Sequence, residues 1–389
     1  MKVLFVTLCA LEVNTSVTKS NVGLLKGLKS LGADITIIMP NISKDVYYYD
    51  KSFDLDGIRV IRLNSCGIGQ KVANMQGSKS KIKSYLFNKL RNLYNNMSVY
   101  GRSTSYLKEV DTVPIYDEFF DYVISTSDPK SSHLFVGGLV KNGLKYGKWI
   151  QHWGDPLMGD VSRRTVHPEW YIKYMEKKTI KNADRIIYVS PFTAEKQKNN
   201  HPGLQNKIGF APLICDEITP EENKDIFNEK GKLKVAFIGD YNSQTRDIMP
   251  LYNACKKLSF VYLVIAGNTD LRLESAENMN INKRVPQAKA RELEMDADVI
   301  VSVGNRFGTQ IPGKIYYLSS SKKIILITME EDNKEAMRSY FQSFNRFETC
   351  DNTEESIIIA LKRLYEAGRP LYKTPERLMP IGVIKQILS

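Results

Sequence analysis

The amino-acid sequence predicts an α/β protein of two successive domains, each with helices packed around a parallel sheet. The chain has 389 residues, which is more than one hydrophobic core usually organises. Residues 1–40 show a strand–helix–strand pattern, and a second pattern of this kind begins near residue 233, after a polar segment. Because the strands of such a unit pair in parallel through a right-handed crossover, both halves are expected to form open β/α sheets.

The first domain is predicted over residues 1–212. Its apolar start, Val3 to Leu11, is followed at once by Glu12 and Asn14, with no small-residue cleavage site. It is therefore interpreted as a buried first strand, with a signal peptide as the alternative. Apolar residues at helical spacing predict a helix over residues 21–31, and Gly32 ends it before a second strand at Ile35–Met39. Further elements are predicted as strands at Ile58–Leu63, Tyr122–Ser125, Lys148–Gln151 and Arg185–Ser190, and as a helix at Trp170–Asn182.

The second domain is predicted over residues 233–375, after a linker region at 213–232 that is polar and charged from Asp216 onwards. Residues 376–389 are expected to form a helical tail that returns towards the first domain. The elements predicted in the second domain are strands at Val235–Gly239, Val261–Ala266, Val299–Val303 and Ile324–Thr328, and helices at Met249–Lys257, Pro312–Ser320 and Glu354–Ala367.

Composition argues against several kinds of site. The five cysteines are scattered and odd in number, as expected for unpaired thiols in a reducing cytoplasm. None of the four histidines pairs with another histidine or a cysteine at a ligand spacing, so a zinc site is not expected. No apolar stretch reaches the ~20 residues that a membrane-spanning helix needs. The formal charge of +12 favours an anionic partner.

Positive charge is concentrated between Lys71 and Lys108, where lysine and arginine alternate with aromatic and aliphatic residues and no acid occurs before Lys108. Such a segment can bind an anionic membrane surface, at roughly 1 kcal/mol per well-placed cation. A solvated helix or a mobile loop explains the same pattern equally well. Nucleic acid is not expected as a partner, because no nucleic-acid-binding motif accompanies the charge.

Ligands of open α/β sheets bind outside the carboxyl ends of the strands, so a site is expected in the crevice between two facing domains. The most informative segment there is Gly304-Asn-Arg-Phe-Gly-Thr-Gln-Ile-Pro-Gly-Lys, which follows a predicted strand. Pro312 suits the start of a helix. The free N–H groups of that start, together with Lys314, would bind phosphate. The alternative is an ordinary loop before a capped helix.

The same segment resembles the "Pro-(Gly/Ser)-Lys" region of glycosyltransferases with the two-domain GT-B fold, especially those that build bacterial surface polysaccharides. Three further segments resemble parts of that family in the same order along the chain, and the resemblance therefore covers nearly all of it. They are Val123-Ile-Ser-Thr-Ser-Asp-Pro-Lys-Ser-Ser-His-Leu, Lys148-Trp-Ile-Gln-His-Trp-Gly-Asp-Pro-Leu and Asn182-Ala-Asp-Arg-Ile-Ile-Tyr-Val-Ser-Pro-Phe-Thr.

The resemblance implies two Rossmann-like β/α domains facing each other across a cleft, with a nucleotide-sugar donor bound by the second. Two departures stand out. Tyr317 occupies the place where the family usually has an acid that holds the ribose, and Asp240 follows Gly239 where the family often has an arginine for the diphosphate. Arg246 is the nearest cation to that position. The predicted donor-binding residues are Gly239, Arg246, Thr309, Gln310, Gly313, Lys314 and Tyr317.

Asp155 is the main candidate for acid–base catalysis or for contact with the acceptor, because it follows a strand between Gly154 and Pro156. His152, three residues earlier, is the second candidate. The structural alternative is that Asp155 caps a turn and His152 packs inside the domain. Asp128 is a weaker candidate, because its position before Pro129 is typical of a turn residue.

The sequence lacks an Asp-x-Asp motif after a strand, so no metal site is expected, and Arg246, Lys314 and the amides near Gly313 would stabilise the leaving group instead. No cofactor is expected besides the donor substrate. The predicted function is sugar transfer from a nucleotide-sugar to a glycan or lipid-linked acceptor, in the cytoplasm or peripherally on the inner face of the plasma membrane. The alternatives are a non-catalytic partner subunit with the same fold and a nucleotide-sugar epimerase.

Overall fold

In the computed structural model, the described residues are 1–13, 15–42, 49, 55–64, 97–160, 165–218, 231–330, 334–367 and 372–389. They form two compact units. The first contains Met1–Ile214 together with Pro380–Ser389, and the second contains Cys215–Met379. The basic segment predicted between Lys71 and Lys108 falls mostly outside the described residues. Within the described ranges, no helix is long and apolar enough to cross a membrane.

The first unit is built on a seven-stranded parallel sheet with the order β3-β2-β1-β4-β5-β6-β7. Its strands are β1 (Lys2–Val6), β2 (Asp34–Pro40), β3 (Ile58–Leu63), β4 (Phe119–Thr126), β5 (Lys145–Trp153), β6 (Arg185–Tyr188) and β7 (Ile208–Phe210). Its helices are α1 (Ser16–Ser30), α2 (Ser131–Lys141), α3 (Glu169–Ile180), α4 (Pro191–Asn200) and the C-terminal α10 (Pro380–Leu388), with a 3-10 segment at Arg102–Thr112.

Both faces of this sheet are covered, as expected for a parallel sheet with helical crossovers. Successive side chains of a strand point to opposite faces. On β4, Val123 therefore packs in the core beneath α2, α3 and the 3-10 segment, whereas Ile124 packs in the core beneath α1 and α10. The strands are consequently apolar on both sides.

The C-terminal helix α10 packs against α1 at Gly27. A β-carbon at Gly27 would lie 2.5 Å from Cγ1 of Ile384 and 2.7 Å from the carbonyl oxygen of Pro380. No real β-carbon tolerates such contacts, so only glycine lets the two helices approach this closely. The contact buries Val383, Ile384 and Ile387, and it ties the end of the chain to the first unit.

The second unit has a six-stranded parallel sheet with the order β10-β9-β8-β11-β12-β13. Its strands are β8 (Leu233–Ile238), β9 (Val261–Ala266), β10 (Met279–Asn282), β11 (Val299–Val303), β12 (Ile324–Met329) and β13 (Glu348–Asp351). Its helices are α5 (Met249–Lys256), α6 (Gln287–Asp296), α7 (Lys314–Tyr317), α8 (Lys334–Gln342) and α9 (Glu354–Glu366). In both units the first strand is central, the next two strands lie on one side of it, and the remaining strands lie on its other side.

The helix predicted at Pro312–Ser320 is wrong in extent. The structure has only the four-residue α7, which is followed by a 3-10 turn at Leu318–Ser320. The guanidinium of buried Arg346 donates to the carbonyl oxygens of Ser319, Ser321 and Lys323 over 2.6–3.0 Å. Because these carbonyls bond Arg346, they do not continue a helical ladder. The strands Ile58–Leu63, Val261–Ala266 and Val299–Val303 have the predicted bounds.

Candidate functional site

The strand order of the second sheet reverses between β8 and β11, which is where open α/β sheets bind ligands. The chain leaves β8 at Gly239, where a β-carbon would meet nothing within 4 Å. On the neighbouring strand, a β-carbon at Gly267 would lie 1.9 Å from the carbonyl oxygen of Gly239. Glycine is therefore required at 267, and the main chain of the two loops approaches closely at this point.

Arg246 links the loop that follows β8 to the loop that follows β11. Its Nη1 donates to the carbonyl oxygen of Asp240, 3.2 Å away, and its Nη2 donates to Oδ1 of Asn305, 2.9 Å away. Asn305 in turn donates from Nδ2 to the carbonyl oxygen of Gln310, 3.1 Å away. The buried Nε of Arg246 has no hydrogen-bond partner among the described residues. Two of its five N–H donors thus hold the guanidinium in place, while the Nε–H and one N–H on each Nη bond no described residue.

The charge of Arg246 is kept despite its burial. Burial lowers the pKa of this guanidinium, and the carboxylate of Asp240 acts in the opposite direction. An arginine with a lowered pKa is still protonated at neutral pH. The loops after β8 and β11 therefore enclose a cation at the point where the strand order reverses.

Lys314 reaches the same place from α7. Its Nζ donates to the carbonyl oxygen of Ile238, the last residue of β8, and to the carboxylate of Glu294 on α6. Glu294 is nearly inaccessible to solvent, whereas the side chain of Lys314 is 39% exposed. An ammonium has three donors, so these two bonds leave one for a ligand. Sequence reasoning missed Glu294, since it is one of three acids in a polar helix and carries no distinctive signal.

The remaining predicted donor residues divide into two groups. Thr309, Gln310 and Gly313 are partly buried in the loop between β11 and α7, next to Gly308, whose φ of 91° favours glycine. Tyr317 lies in the interior and is only 8% exposed. Burial, reinforced by the nearby carboxylate of Asp216, raises the pKa of its hydroxyl far above the usual value. The structure thus places Tyr317 in the core, and Thr309, Gln310 and Gly313 in the loop before α7.

Asp240 occupies the position where the glycosyltransferases that the sequence resembles often have an arginine. Its carboxylate contacts residues of two other loops. Its Oδ1 accepts the backbone N–H of Asn268 over 2.9 Å, and its Oδ2 lies 3.4 Å from Nη1 of Arg284. Arg306 is exposed on the loop after β11 and donates to the carbonyl oxygen of Ser243 over 2.9 Å. Arg284 and Arg306 therefore add two exposed cations that sequence reasoning did not single out.

In the first unit, Asp155 follows β5 on a loop that begins at Gly154. The backbone N–H of Gly154 donates to Oγ of Ser127 over 3.0 Å, which links this loop to the end of β4. Lys130 lies between Asp128, 2.9 Å away, and Asp160, 3.5 Å away. Burial opposes the charged ammonium of Lys130, but Asp128, Asp160 and Asp155 outweigh it and raise the pKa of Lys130. Three aspartates thus surround one buried cation here.

The buried carboxylate of Glu176 on α3 holds this loop in place. Its Oε1 accepts the backbone N–H groups of Leu157 and Met158 over 2.6 and 3.2 Å, and its Oε2 lies 3.1 Å from Nε2 of His201. Gln197 donates to the carbonyl oxygen of Met158 over 3.3 Å. A buried carboxylate is tolerated when its oxygens are hydrogen-bonded in this way. Glu176 therefore orders the loop on which Asp155 lies.

His152, the second catalytic candidate, lies at the end of β5 and is 2% exposed. Burial lowers the pKa of this imidazole to about 4, and its Nδ1 has no hydrogen-bond partner among the described residues. His133 is also buried and stacks on the ring of Trp153 at 4.3 Å between centroids. Both imidazoles are neutral at neutral pH, so the acidic groups around Lys130 carry the local charge.

No family model matches the sequence, and no curated protein matches it either. Solved structures do match. HepE from Anabaena, in complex with UDP and glucose, aligns with a TM-score of 0.60 at 11% identity, over 100% of this chain and 98% of its own. The lipopolysaccharide outer core galactosyltransferase WaaB aligns with a TM-score of 0.55 at 12% identity, over 100% and 98% of the two chains. Sucrose-phosphate synthase from Thermosynechococcus elongatus aligns with a TM-score of 0.54 at 11% identity, over 100% of this chain and 94% of its own.

The chain has the GT-B fold. The predicted fold class, with two Rossmann-like β/α domains, is thereby confirmed, and so is the structural side of the resemblance to glycosyltransferases. The structure brings Gly239, Arg246, Gln310 and Lys314 together at the point where the strand order of the second sheet reverses. Among the described residues, no group of three or more His, Cys, Asp or Glu side chains is arranged to hold a metal ion.

Proposed function

We propose that this protein is a glycosyltransferase that moves a hexosyl group from a nucleotide-sugar to a glycan or lipid-linked acceptor in surface polysaccharide biosynthesis. The observation that carries the proposal is the buried and unbonded Nε donor of half-buried Arg246 at the reversal point of the second sheet. A buried donor without a partner is costly unless a ligand bonds it. HepE, which shares the fold, was solved with UDP-glucose, and this supports a nucleotide-sugar as that ligand.

In the proposed donor site, Arg246 and Lys314 neutralise the diphosphate. After the bonds to described residues are counted, Arg246 keeps three of its five N–H donors and Lys314 keeps one of its three. Their positions are set before substrate binds, so they stabilise the negative charge that develops on the leaving nucleoside diphosphate without reorganisation. Gly239, Thr309, Gln310 and Gly313 supply main chain and small polar groups beside them.

In the proposed acceptor site, Asp155 accepts the proton of the acceptor hydroxyl. The hydroxyl oxygen bonds the anomeric carbon, the bond from that carbon to the diphosphate oxygen breaks, and the nucleoside diphosphate leaves with the electron pair. A carboxylate that is held by an ordered loop suits this role. Glu176 supplies that order through Leu157 and Met158.

Metal independence is part of the proposal, because two protein cations are available for the diphosphate. Turnover is expected to be unchanged after treatment with EDTA. The check is nucleotide release before and after chelation, with Mg²⁺ and Mn²⁺ added back to the treated protein. Activity that disappears and returns only with the metal would contradict this part.

The experiment that tests the function measures nucleotide release with a panel of UDP-, GDP-, dTDP- and ADP-sugars, with and without lipid-linked acceptors. Release that depends on one donor and rises with an acceptor is the expected result. Binding of every donor without any release, across the acceptor panel, would contradict the catalytic role. The donor sugar that gives release also tests the proposed hexosyl specificity.

A specific observation favours a second candidate, a non-catalytic subunit with the same fold. Lys314 already bonds Glu294 and Ile238, and Tyr317, in the place of the ribose-binding acid, lies in the interior. Such a subunit would bind a partner glycosyltransferase instead of a donor. Calorimetry with free UDP, GDP and dTDP separates the two, since the second candidate is expected to bind none of them.

The proposed location is the cytoplasmic face of the plasma membrane, with peripheral attachment. A lipid-linked acceptor would be presented there, and the net charge of +12 suits an anionic surface. The basic segment from Lys71 to Lys108 is the contact that the sequence suggests for this role.

A further inference from the structure

Helix α3 exposes two large aromatic side chains on its outer surface. Trp170 is 71% exposed and Tyr174, one helical turn later, is 58% exposed. Val166, just before the helix, is 64% exposed, and Met97 is 59% exposed. Met97 lies beside this region, because its carbonyl oxygen is 2.8 Å from Nε2 of His167. Clustered apolar side chains in water usually mark a surface that binds something.

Four exposed lysines lie on the same surface, three of them on α3 and one at its C-terminal cap: Lys173, Lys177, Lys178 and Lys181. At 100° per residue, they and the two aromatic side chains fall within a sector of roughly 140°. No acid lies in this sector, since Glu176 is buried on the opposite side and the turn angle places Glu169 outside it. None of the four ammonium groups forms an ion pair with a described residue. We call these six residues the aromatic–lysine face.

This face is rigidly presented and not an unpacked core face. Ile172, Glu176 and Ile180 bury the other side of the helix. Tyr100 also anchors it, with its hydroxyl 3.0 Å from the carbonyl oxygen of Met175 and 2.7 Å from Oγ1 of Thr179. Trp170 and Tyr174 therefore remain in water although the helix is fully docked.

The helix dipole explains only part of this pattern. Cations are favoured in the last turn of a helix, which accounts for Lys177, Lys178 and Lys181. It does not account for Lys173 in the middle, nor for two exposed aromatic side chains in the first half. Tryptophan and tyrosine with a polar end and an apolar ring are the residues that settle at the boundary between lipid and water.

We propose that the aromatic–lysine face of α3 docks on an anionic lipid surface, with Trp170 and Tyr174 among the headgroups and the four lysines on the lipid charges. Charge complementarity supports a lipid partner, because six residues of one helix face combine four cations with no acid. The proposal deepens the proposed function and rests on it, since a lipid-linked acceptor brings the enzyme to such a surface.

The test uses Trp170 itself as the reporter. The protein has three tryptophans, and Trp149 and Trp153 are 1% and 0% exposed. Acrylamide-accessible emission therefore comes from Trp170. With vesicles of phosphatidylglycerol and phosphatidylcholine at low salt, the emission is expected to shift to shorter wavelength, to become protected from acrylamide and to be quenched by brominated acyl chains. Vesicles of phosphatidylcholine alone are expected to give no shift.

Two matched pairs of variants sharpen the test. Replacing the four lysines of the face with glutamine is expected to lower the partition coefficient by roughly three orders of magnitude. The control replaces the exposed lysines Lys141, Lys145, Lys256 and Lys362 and removes the same charge, so it should bind nearly as the wild type does.

The second pair concerns the aromatic side chains and is read by vesicle sedimentation. Trp170→Ala with Tyr174→Ala is expected to lower partition about tenfold or more. Phe119→Ala with Ile359→Ala removes two side chains that are 56% and 67% exposed elsewhere and is expected to change it little.

Two results would overturn the proposal, and a third would separate it from the proposed activity. One is sedimentation with anionic vesicles but no change in Trp170 emission, with binding lost in Lys79, Lys81, Lys83 and Lys89→Gln. This would assign membrane contact to the basic segment and leave the proposed function standing. Another is a concentration-dependent shift without vesicles, which would assign the face to a second copy of the chain. A Trp170 shift with no sugar transfer would support the face and count against the activity.

Discussion

The two sheets have the same strand order near their first strand, yet their carboxyl ends carry opposite charge. In the first unit, Asp128, Asp155 and Asp160 surround the single buried ammonium of Lys130. In the second unit, Arg246 and Lys314 converge on the end of β8. The strand order is shared, so the residues in the loops and helices that follow the strands decide the charge at each end. One end suits a hydroxyl that loses a proton, and the other suits a diphosphate.

The largest effect is expected for Asp155→Asn. If the first unit supplies the base, turnover should fall by about 10²–10⁴-fold, whereas nucleotide affinity in the second unit should be unchanged. Steady-state kinetics and calorimetry with the nucleoside diphosphate measure the two quantities separately. Asp128→Asn is the matched control, with a smaller expected loss. Equal losses of turnover and nucleotide affinity would contradict the division of labour between the ends.

The next effect concerns the order of the Asp155 loop. Glu176→Ala leaves His201 and the N–H groups of Leu157 and Met158 without their acceptor, and each buried donor that loses its partner costs about 1–3 kcal/mol of unfolding free energy. Glu176→Gln keeps one acceptor and should cost less. Urea denaturation measures both. A cost below about 1 kcal/mol for Glu176→Ala would mean that the loop is held by other contacts.

The third effect is a pH dependence confined to the first unit. The pKa of His152 falls from 6.5 in the unfolded chain to about 4 in the folded protein, so the unfolded chain binds the proton first as the pH falls. Stability is fully present above pH 6.5 and is lost towards pH 4, by about 3 kcal/mol. Buried His133 acts in the same direction. Denaturation at pH 7 and pH 4.5 checks this.

The control for the pH effect is His152→Gln, which cannot titrate and should make stability depend less on pH in that window. The relevant quantity is the slope of the unfolding free energy against pH, because the substitution itself also changes stability. An unchanged slope would show that other groups govern the acid response.

The smallest effect is expected at the cationic end. Arg246→Lys keeps the charge but loses the planar group that bridges Asp240 and Asn305, and Lys314→Ala removes the ammonium. Arg246→Ala and Lys314→Ala should each weaken nucleoside-diphosphate binding by about 1.5–3 kcal/mol, with Arg246→Lys between Arg246→Ala and the wild type. Lys362→Ala, on an exposed position, serves as the control in calorimetry. Unchanged affinity in both alanine variants would remove these residues from the site.

Local patterns determined much of this architecture. Runs such as Ile35–Met39 and Ile324–Thr328 are apolar, β-branched and fully buried, and parallel strands covered on both faces require that composition. Most strands could therefore be located from the sequence, but the short strands β7, β10 and β13 were not predicted. The segment that contains Gln310 and Lys314 could also be located from the sequence. The short extent of α7 could not, because Arg346 ends it from a position 26 or more residues later in the chain.

The sequence by itself determined the fold class and the types of residue at the ends of the strands, because hydrophobic periodicity and turn residues are local properties. Tertiary structure decided which of those residues share a site and which are buried. It placed Glu294 against Lys314, Tyr317 in the interior and Trp170 in water. Burial and partners depend on elements distant in the chain, and these two factors set the charge and hydrogen bonding of each group.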